Sequence, residues 1–240
     1  MMVHVVVVLF FATLVRSAFG FGEALVAVPL LALVMPVRVA APVAVLVSIT
    51  VAGVVVVQDW RHVHVRSAGW LVLSTLAGVP LGLLLLRTAA EPVIKTALGA
   101  VIIAFSTFML LTRTPRTLKD DRRAWLFGLA AGILGGAYGM NGPPLVVYGS
   151  LRRWSPAEFR ATLQGYFLPA SVLGMAGYWL TGLWTPLVTR YYLHALPLIV
   201  LAIVLGRAIN RRLSHQRFLL ALHAGLIAVG AILLMQALRS

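Results

Sequence analysis

Long apolar runs fill most of this chain, and short polar segments separate them. The sequence divides into eight apolar blocks, at residues 3–35, 40–57, 67–86, 93–112, 125–151, 159–180, 190–206 and 217–238. About 20 apolar residues of helix cross the hydrocarbon core of a bilayer. Because lipid offers the backbone no hydrogen-bond partner, each crossing has to be helical. The pattern therefore predicts an all-α polytopic membrane protein.

The composition agrees with this prediction and excludes several functions. Of the 240 residues, 61% are hydrophobic, 11% are charged and none is Cys, which excludes disulfides and thiolate sites. The net charge of +14 comes from short clusters between the blocks, so no nucleic-acid partner is predicted. The sequence has no HExxH, GxSxG or GxxxxGK[ST] motif, and we predict no enzymatic activity, no metal and no cofactor.

The two halves of the chain resemble repeats of one another. Residues 18–21 match residues 137–140, and Gly82 matches Gly206 at a similar separation. The longest polar stretch lies between the halves. We predict a first repeat, a linker and a second repeat, at residues 1–112, 113–123 and 124–240.

Basic loops predict the orientation, because such loops face the cytoplasm. Most Lys and Arg residues fall in four of them, at residues 59–66, 113–123, 152–160 and 206–217. The block at 125–151 begins and ends in such loops, so it has to enter the membrane and return. Its centre, GGAYGMNGPPLVVYG at 135–149, is the predicted tip of a re-entrant hairpin, and residues 20–23 form the equivalent tip of the first half.

Each half then contains one re-entrant hairpin and three transmembrane helices. An odd number of crossings inverts the second half relative to the first and leaves both termini outside. The predicted fold is two inverted repeats whose broken helices meet near the membrane midplane, as in many secondary transporters. The alternative is a single kinked helix through each hairpin block, with glycines that only allow close packing.

The hairpin tips have the chemistry of an anion site. A helix that begins inside the membrane presents unpaired N–H groups and the positive end of its dipole. Asn141 suits the N-cap of such a helix, and Pro143 suits its first turn. Gly139 and Gly142 let a substrate approach the backbone. A purely local capping role is the alternative for Asn141.

Two ionisable residues flank the first tip, at a depth where charges usually face a cavity or one another. Arg16 is predicted to attract the anion. Glu23 is the predicted proton carrier, because it is the carboxylate that lies inside an apolar block. A mutual ion pair that only orders the hairpin is the alternative. Gln164 shares one helix face with Ser171 and is predicted to line the same cavity.

The segments GFGEALVAVPLLALVMPVRVAAPVAVLVS, GMNGPPLVVY and WSPAEFRATLQ resemble the TauE/SafE family of membrane exporters, and the resemblance covers nearly the whole chain. It implies a proton-linked carrier that exports sulfite or small organosulfonates, such as sulfoacetate, from the bacterial cytoplasm across the inner membrane. The positions that match the family's motifs are Gly20, Gly22, Gly139, Asn141, Gly142, Pro143, Pro144 and Arg160.

The leading hypothesis is a secondary anion exporter that works by alternating access. Arg160 then loads the anion at the cytoplasmic mouth, or alternatively contacts phospholipid headgroups. A passive anion channel, an enzyme and a membrane scaffold are the other classes. The predicted partners are a small anion, protons, membrane lipid and a second copy of the chain.

Overall fold

The computed structural model of this protein describes residues 1–59, 64–111, 117–118, 120–210 and 215–239. Across these residues it contains ten α-helices and no strand, so the all-α prediction is confirmed. The helices are α1 (Met2–Phe19), α2 (Glu23–Ala32), α3 (Val37–Asp59), α4 (Val65–Thr88), α5 (Glu91–Leu111), α6 (Ala124–Tyr138), α7 (Gly142–Leu151), α8 (Pro156–Leu180), α9 (Pro186–Asn210) and α10 (His215–Arg239).

The outer surface of the helix bundle is suited to lipid. Six of the described helical stretches, in α1, α3, α4, α5, α9 and α10, are long and apolar enough to cross a membrane by length and composition. Large apolar side chains such as Trp70, Leu84 and Leu201 are about half exposed. Water would disfavour so much exposed apolar surface, whereas lipid would not. The protein is a multi-pass membrane protein.

Two glycines form the turn of the first hairpin, between α1 and α2. Gly20 has φ = +86° and ends α1 by donating its N–H to the Arg16 carbonyl at 2.6 Å. Gly22 has φ = +99° and precedes the first residue of α2. These left-handed conformations favour glycine, because a β-carbon would strain them. The chain reverses within three residues, and α2 packs against α1.

The second hairpin returns to the end of the bundle from which it started. Gly139, with φ = +64°, separates α6 from α7. The N–H of Leu118, before α6, donates to the carbonyl of Leu151, at the end of α7, at 2.8 Å. The Phe127 and Tyr148 rings also meet, with centroids 5.2 Å apart. A single kinked span would separate these ends by the thickness of the membrane, so that alternative is wrong for this block.

Equivalent helices of the two halves pack on equivalent partners. Helix α6 packs on α4 just as α1 packs on α9, while α5 packs on α10 and α3 on α8. A β-carbon at Gly82 would lie 2.1 Å from the carbonyl oxygen of Ile133, and one at Gly206 would lie 2.9 Å from that of Leu14. The matched glycines thus make matched backbone contacts. The inversion of one half relative to the other stays a prediction.

Three of the predicted cytoplasmic loops meet at one end of the bundle. His64 lies 3.0 Å from Glu158, between its Nε2 and the carboxylate Oε1. Glu158 also forms a capping box with Ser155 at the start of α8. The opposite end contains the turn between α4 and α5, where Arg38 donates to the carbonyls of Leu86, Arg87 and Ala89. Residues 60–63 of the first basic loop and residues 211–214 of the fourth lie outside the described residues.

Asp121 joins the loops at the basic end. It accepts hydrogen bonds from Tyr148 at 2.5 Å and Ser67 at 2.9 Å, and Arg152 lies 3.5 Å away. Partial burial by itself raises the pKa of Asp121. The two hydrogen bonds and the charges of Arg152 and Arg66 outweigh it, so the pKa is lowered overall. This carboxylate therefore ties both ends of the second hairpin to α4.

Gly82→Ala should destabilise the protein. Its new methyl group would overlap the α6 backbone, and such overpacking costs about 1–3 kcal/mol. Gly69→Ala is the matched control on the same helix, because a β-carbon there meets nothing within 4 Å. Thermal unfolding in detergent should give a lower melting temperature for Gly82→Ala alone. Equal melting temperatures would contradict the close helix contact.

Asp121→Asn should lower the melting temperature at neutral pH. A carboxyl whose pKa is lowered by folding stabilises the folded state above its unfolded pKa, and that stability is lost as the pH falls through the folded pKa. The difference between the variant and the wild type should therefore shrink in acid. Asp120→Asn is the control, because Asp120 is 60% exposed beside an exposed Arg122. A similar effect of both substitutions at neutral pH would exclude this role of Asp121.

Candidate functional site

The two hairpin tips meet around one small buried cavity. Residues 21–25 of the first tip and residues 139–143 of the second line it, together with Arg16, Ser48 and Phe167. Its volume is about 20 Å³, close to what a single water needs. Both glycine-rich tips therefore line one cavity.

Arg16 is the centre of the hydrogen-bond network at this cavity. It is 3% exposed, and its Nη1 donates to Glu23 at 2.5 Å and to Ser48 at 2.7 Å. Its Nη2 donates to Gln164 at 2.8 Å. The guanidinium carbon also lies 4.9 Å from the centre of the Phe167 ring, within the range of a cation–π contact. Residues from α1, α2, α3 and α8 thus converge on one cation.

Glu23 balances this charge. It is 1% exposed, and it is the acidic residue in the first turn of α2, where the helix dipole favours an anion. Its Oε2 accepts from Arg16, whereas its buried Oε1 has no hydrogen-bond partner among the described residues. The ion pair that the sequence left as an alternative therefore exists, and it leaves one carboxylate oxygen unused.

Gln164 positions Arg16 relative to the first tip. Its Oε1 accepts from Arg16, and its Nε2 donates to the carbonyl of Gly20 at 2.6 Å. One helix face carries Gln164, Phe167 and Ser171, because they are spaced three and four residues apart on α8. Ser171 donates to the hydroxyl of Ser48 at 3.0 Å. This face links the tip to α3.

The start of α2 offers more backbone donors than the start of α7. The first intrahelical bond at α2 runs from Val26 to Gly22, so the N–H groups of residues 23–25 have no partner within the helix. At α7, Pro143 and Pro144 have no N–H group and leave Gly142 as the donor of the first turn. The sequence pointed to the second tip as the anion site. In the structure, most of the unpaired backbone N–H donors lie at the first tip, at the start of α2.

The second tip is packed more tightly. A β-carbon at Gly139 would lie 2.7 Å from Val45 and 3.0 Å from the carbonyl oxygen of Ala41, so this turn presses on α3. Asn141 occupies the N-cap position of α7 as predicted, but its side chain makes no capping hydrogen bond. Instead it fills the space beside Gly135, where a β-carbon would lie 2.5 Å from its Oδ1. The local capping role is therefore wrong.

Most of the predicted site residues lie around the cavity. Those that line it are Arg16, Gly22, Glu23, Gly139, Asn141, Gly142 and Pro143. Gly20 and Gln164 adjoin it through the hydrogen bond between them. Pro144 follows in the first turn of α7 and does not line the cavity. Arg160 also lies outside the lining, with its Cγ 3.0 Å from where a β-carbon of Gly20 would be.

Two contributors, Ser48 and Phe167, were not among the predicted site residues. Ser48 is a small polar residue within an apolar block, which by itself is common in membrane helices. Phe167 lies one helical turn after Gln164, and that spacing was the available signal. A serine or a phenylalanine in a membrane helix does not indicate a binding site unless the neighbouring helices are known.

The lining of the cavity combines a guanidinium, a carboxylate and backbone amides. Across the described residues, no cluster of three His, Asp or Glu side chains exists. The guanidinium, the start of α2 and the Gly142 amide all favour negative charge. Glu23 is the carboxylate among the residues that line the cavity.

Comparison with known proteins agrees with this chemistry. The chain matches a family described as sulfite exporter TauE/SafE over residues 5–233, a range that includes both tips. It is 26% identical, over 227 residues, to a Cupriavidus necator protein described as a probable sulfite/organosulfonate exporter TauE. The match covers 92% of this chain and 88% of that relative. No solved structure matches the chain.

Gly142→Leu should abolish protection of the protein by a bound anion. A β-carbon at Gly142 would meet only Phe167, at 3.9 Å, so a methyl group fits there, whereas the longer leucine side chain competes with a ligand for the cavity. A bound ligand raises the melting temperature, and at a fixed ligand concentration a tighter ligand raises it more. The measurement is thermal unfolding with and without sulfite or a sulfonate.

Gly225→Leu is the matched control, because Gly225 faces open space on α10. It should keep the full protection, and Gly142→Ala should keep part of it. If Gly142→Leu unfolded at the wild-type temperature and kept full protection by the anion, the cavity would not be the binding site.

Proposed function

Because this chain belongs to the TauE/SafE family, we propose that it is a secondary transporter that exports sulfite or small organosulfonate anions from the cytoplasm. The proposed location is a bacterial inner membrane. Two inverted repeats, at 1–112 and 124–240, and a cytoplasmic linker between them form the proposed organisation. Transport is coupled to protons and works by alternating access at the cavity between the hairpin tips.

The observation that carries this proposal is the Arg16–Glu23 pair at the cavity. Arg16 is the cation among the lining residues, and a carboxylate from the same hairpin already binds it. Sulfite and sulfonate oxygens suit a guanidinium for the same reason that carboxylate oxygens do, since both accept its parallel N–H groups. The substrate therefore takes the place of Glu23 on Arg16, beside the free amides of α2.

Protonation of Glu23 favours this replacement. A neutral Glu23 binds Arg16 more weakly, whereas a charged Glu23 repels an anion strongly at short range in a medium of low dielectric constant. The loaded site then holds a proton and an anion together. We infer that both cross the membrane in the same direction.

The charge of the loaded carrier favours export. Divalent sulfite with one proton carries one negative charge. A membrane potential that is negative inside drives that charge outward by about 2.3 kcal/mol per 100 mV. For a divalent anion, the coupling therefore needs no inward proton movement to expel the anion.

Loading requires the tips to move. The cavity of about 20 Å³ has room for about one water, so a sulfur oxyanion, which has at least four heavy atoms, does not fit without rearrangement. We propose that the tips move at Gly20, Gly22 and Gly139. Arg160 covers Gly20 near the start of α8, and its displacement opens the path from the cytoplasmic end during loading.

Flux in proteoliposomes tests the function. A sulfonate is the preferred probe, because its own charge does not change near neutral pH. We expect faster flux when the side that contains the anion is the acidic side. Glu23→Gln should still carry the anion but lose the dependence on the pH gradient, since its side chain stays neutral. Arg16→Gln should abolish flux.

The control is Glu91→Gln. Glu91 is a partly buried carboxylate that accepts from the N–H of Val37 at the other end of the bundle, away from the cavity. It should keep the dependence on the gradient. No flux of sulfite, sulfoacetate, sulfate or chloride would exclude the transporter and favour a scaffold. Wild-type flux that ignores the gradient would favour a channel, and an unchanged gradient response in Glu23→Gln would exclude Glu23 as the carrier.

A further inference from the structure

A second and much larger cavity lies on the outer surface of the bundle. It is a groove of about 690 Å³ between α4 and α8, separate from the site described above. Its apolar lining includes Leu76, Pro80 and Leu84 from α4 and Leu173, Ala176 and Leu180 from α8. Since this surface faces the hydrocarbon core, the groove is filled with something apolar rather than with water.

The length of the groove matches one leaflet of a bilayer. Leu76 and Thr88 mark its limits along α4, and the twelve helical steps between them span about 18 Å. Half of a hydrocarbon core is about 15 Å thick. A single acyl chain laid along α4 therefore fits from the middle of the membrane to its surface.

The polar lining residues all lie at one end. Arg87 and Thr88 come from the last turn of α4, and Thr181 follows the last residue of α8. The threonine hydroxyls donate to carbonyls of their own helices, at Leu84 and Gly177. Arg87 is therefore the cationic group at this end of the groove.

Two observations leave Arg87 available to a ligand. Its side chain is exposed and makes no hydrogen bond or ion pair with any described residue. The carbonyls at the end of α4, which would otherwise attract it, are occupied by Arg38, which donates to Leu86, Arg87 and Ala89. The groove thus has an apolar length and one positive end.

We propose that this groove binds a phospholipid with an anionic headgroup. The acyl chain lies between α4 and α8, and the headgroup phosphate pairs with Arg87, assisted by the nearby positive charge of Arg38. An anionic lipid is favoured because no headgroup ammonium offsets the charge of its phosphate. A guanidinium suits a phosphate because it donates two parallel hydrogen bonds. A second copy of the chain would also cover the apolar part of the groove, but it would not explain why the groove ends at a cation.

Native mass spectrometry of the purified full chain tests this site. The delipidated protein is titrated with dioleoyl phosphatidylglycerol or with dioleoyl phosphatidylcholine, and the retained lipid and the melting temperature are measured. We expect about a fivefold preference for phosphatidylglycerol, since one cation near the membrane surface contributes about 1 kcal/mol. Arg87→Gln should remove the preference, and Ala176→Trp should remove the retained lipid by filling the groove.

Matched controls exclude general effects of charge and size. Arg190→Gln removes an exposed cation near the start of α9, at the same end of the bundle but outside the groove. Leu201→Trp enlarges an exposed residue of α9 that is also outside it. Both should behave like the wild type.

Three results would overturn the proposal. One is equal retention of the two lipids by the wild type. Another is an effect of Arg190→Gln as large as that of Arg87→Gln. The third is a wild-type dimer that retains no lipid and that Ala176→Trp dissociates, because a second copy would then occupy the groove. None of these results depends on which anion the protein transports.

Discussion

The ion pair between Arg16 and Glu23 is the interaction on which the rest of this structure depends. Two charges that are almost fully buried within a membrane bundle are stable only when each has its partner. Removing one partner of a buried pair typically costs about 3–5 kcal/mol, because it leaves the other charge uncompensated. Gln164 from α8 and Ser48 from α3 complete the network, so the first tip has to lie where these helices meet. The same ion pair defines the chemistry of the site. The guanidinium and the carboxylate that hold the first tip in place are also the groups to which an anion and a proton would bind.

A rigid frame surrounds this network. Helices α4 and α6 approach so closely that glycine is needed at positions on both, including Gly78 and Gly132, where an added methyl group would meet the backbone of the other helix. The second hairpin is also held at its polar end by Asp121 and near its tip by Tyr178, which donates to the carbonyl of Gly135 at 3.1 Å. The tips have no comparable backbone packing at Gly22 and Gly142. The protein thus combines a frame that resists deformation with two short segments that have room to change.

The lipid-facing surface and the buried site share structural elements. Leu83 lines the outer groove, and its backbone N–H lies 2.9 Å from where a β-carbon of Gly136 would be, in the last turn before the second tip. A molecule in the groove therefore packs against α4, the helix that also contacts α6 next to the second tip. Because α4 and α6 are in backbone contact, α4 alone separates the groove from the helix that ends at the second tip.

The sequence alone determined the class of protein, the pattern of eight apolar blocks with two glycine-rich breaks, and the identity of the buried charges. These follow from local physics, because block length reflects membrane thickness, glycine permits φ > 0, and a charge in an apolar run needs a partner. Only the tertiary structure decided that Arg16 pairs with Glu23, that Asn141 supports Gly135 instead of capping α7, and that Ser48 and Phe167 belong to the site. The structure also showed that more unpaired backbone N–H groups lie at the start of α2 than at the start of α7. Such contacts join residues far apart in the chain, and the periodicity of one helix carries no information about which neighbour its polar face will meet.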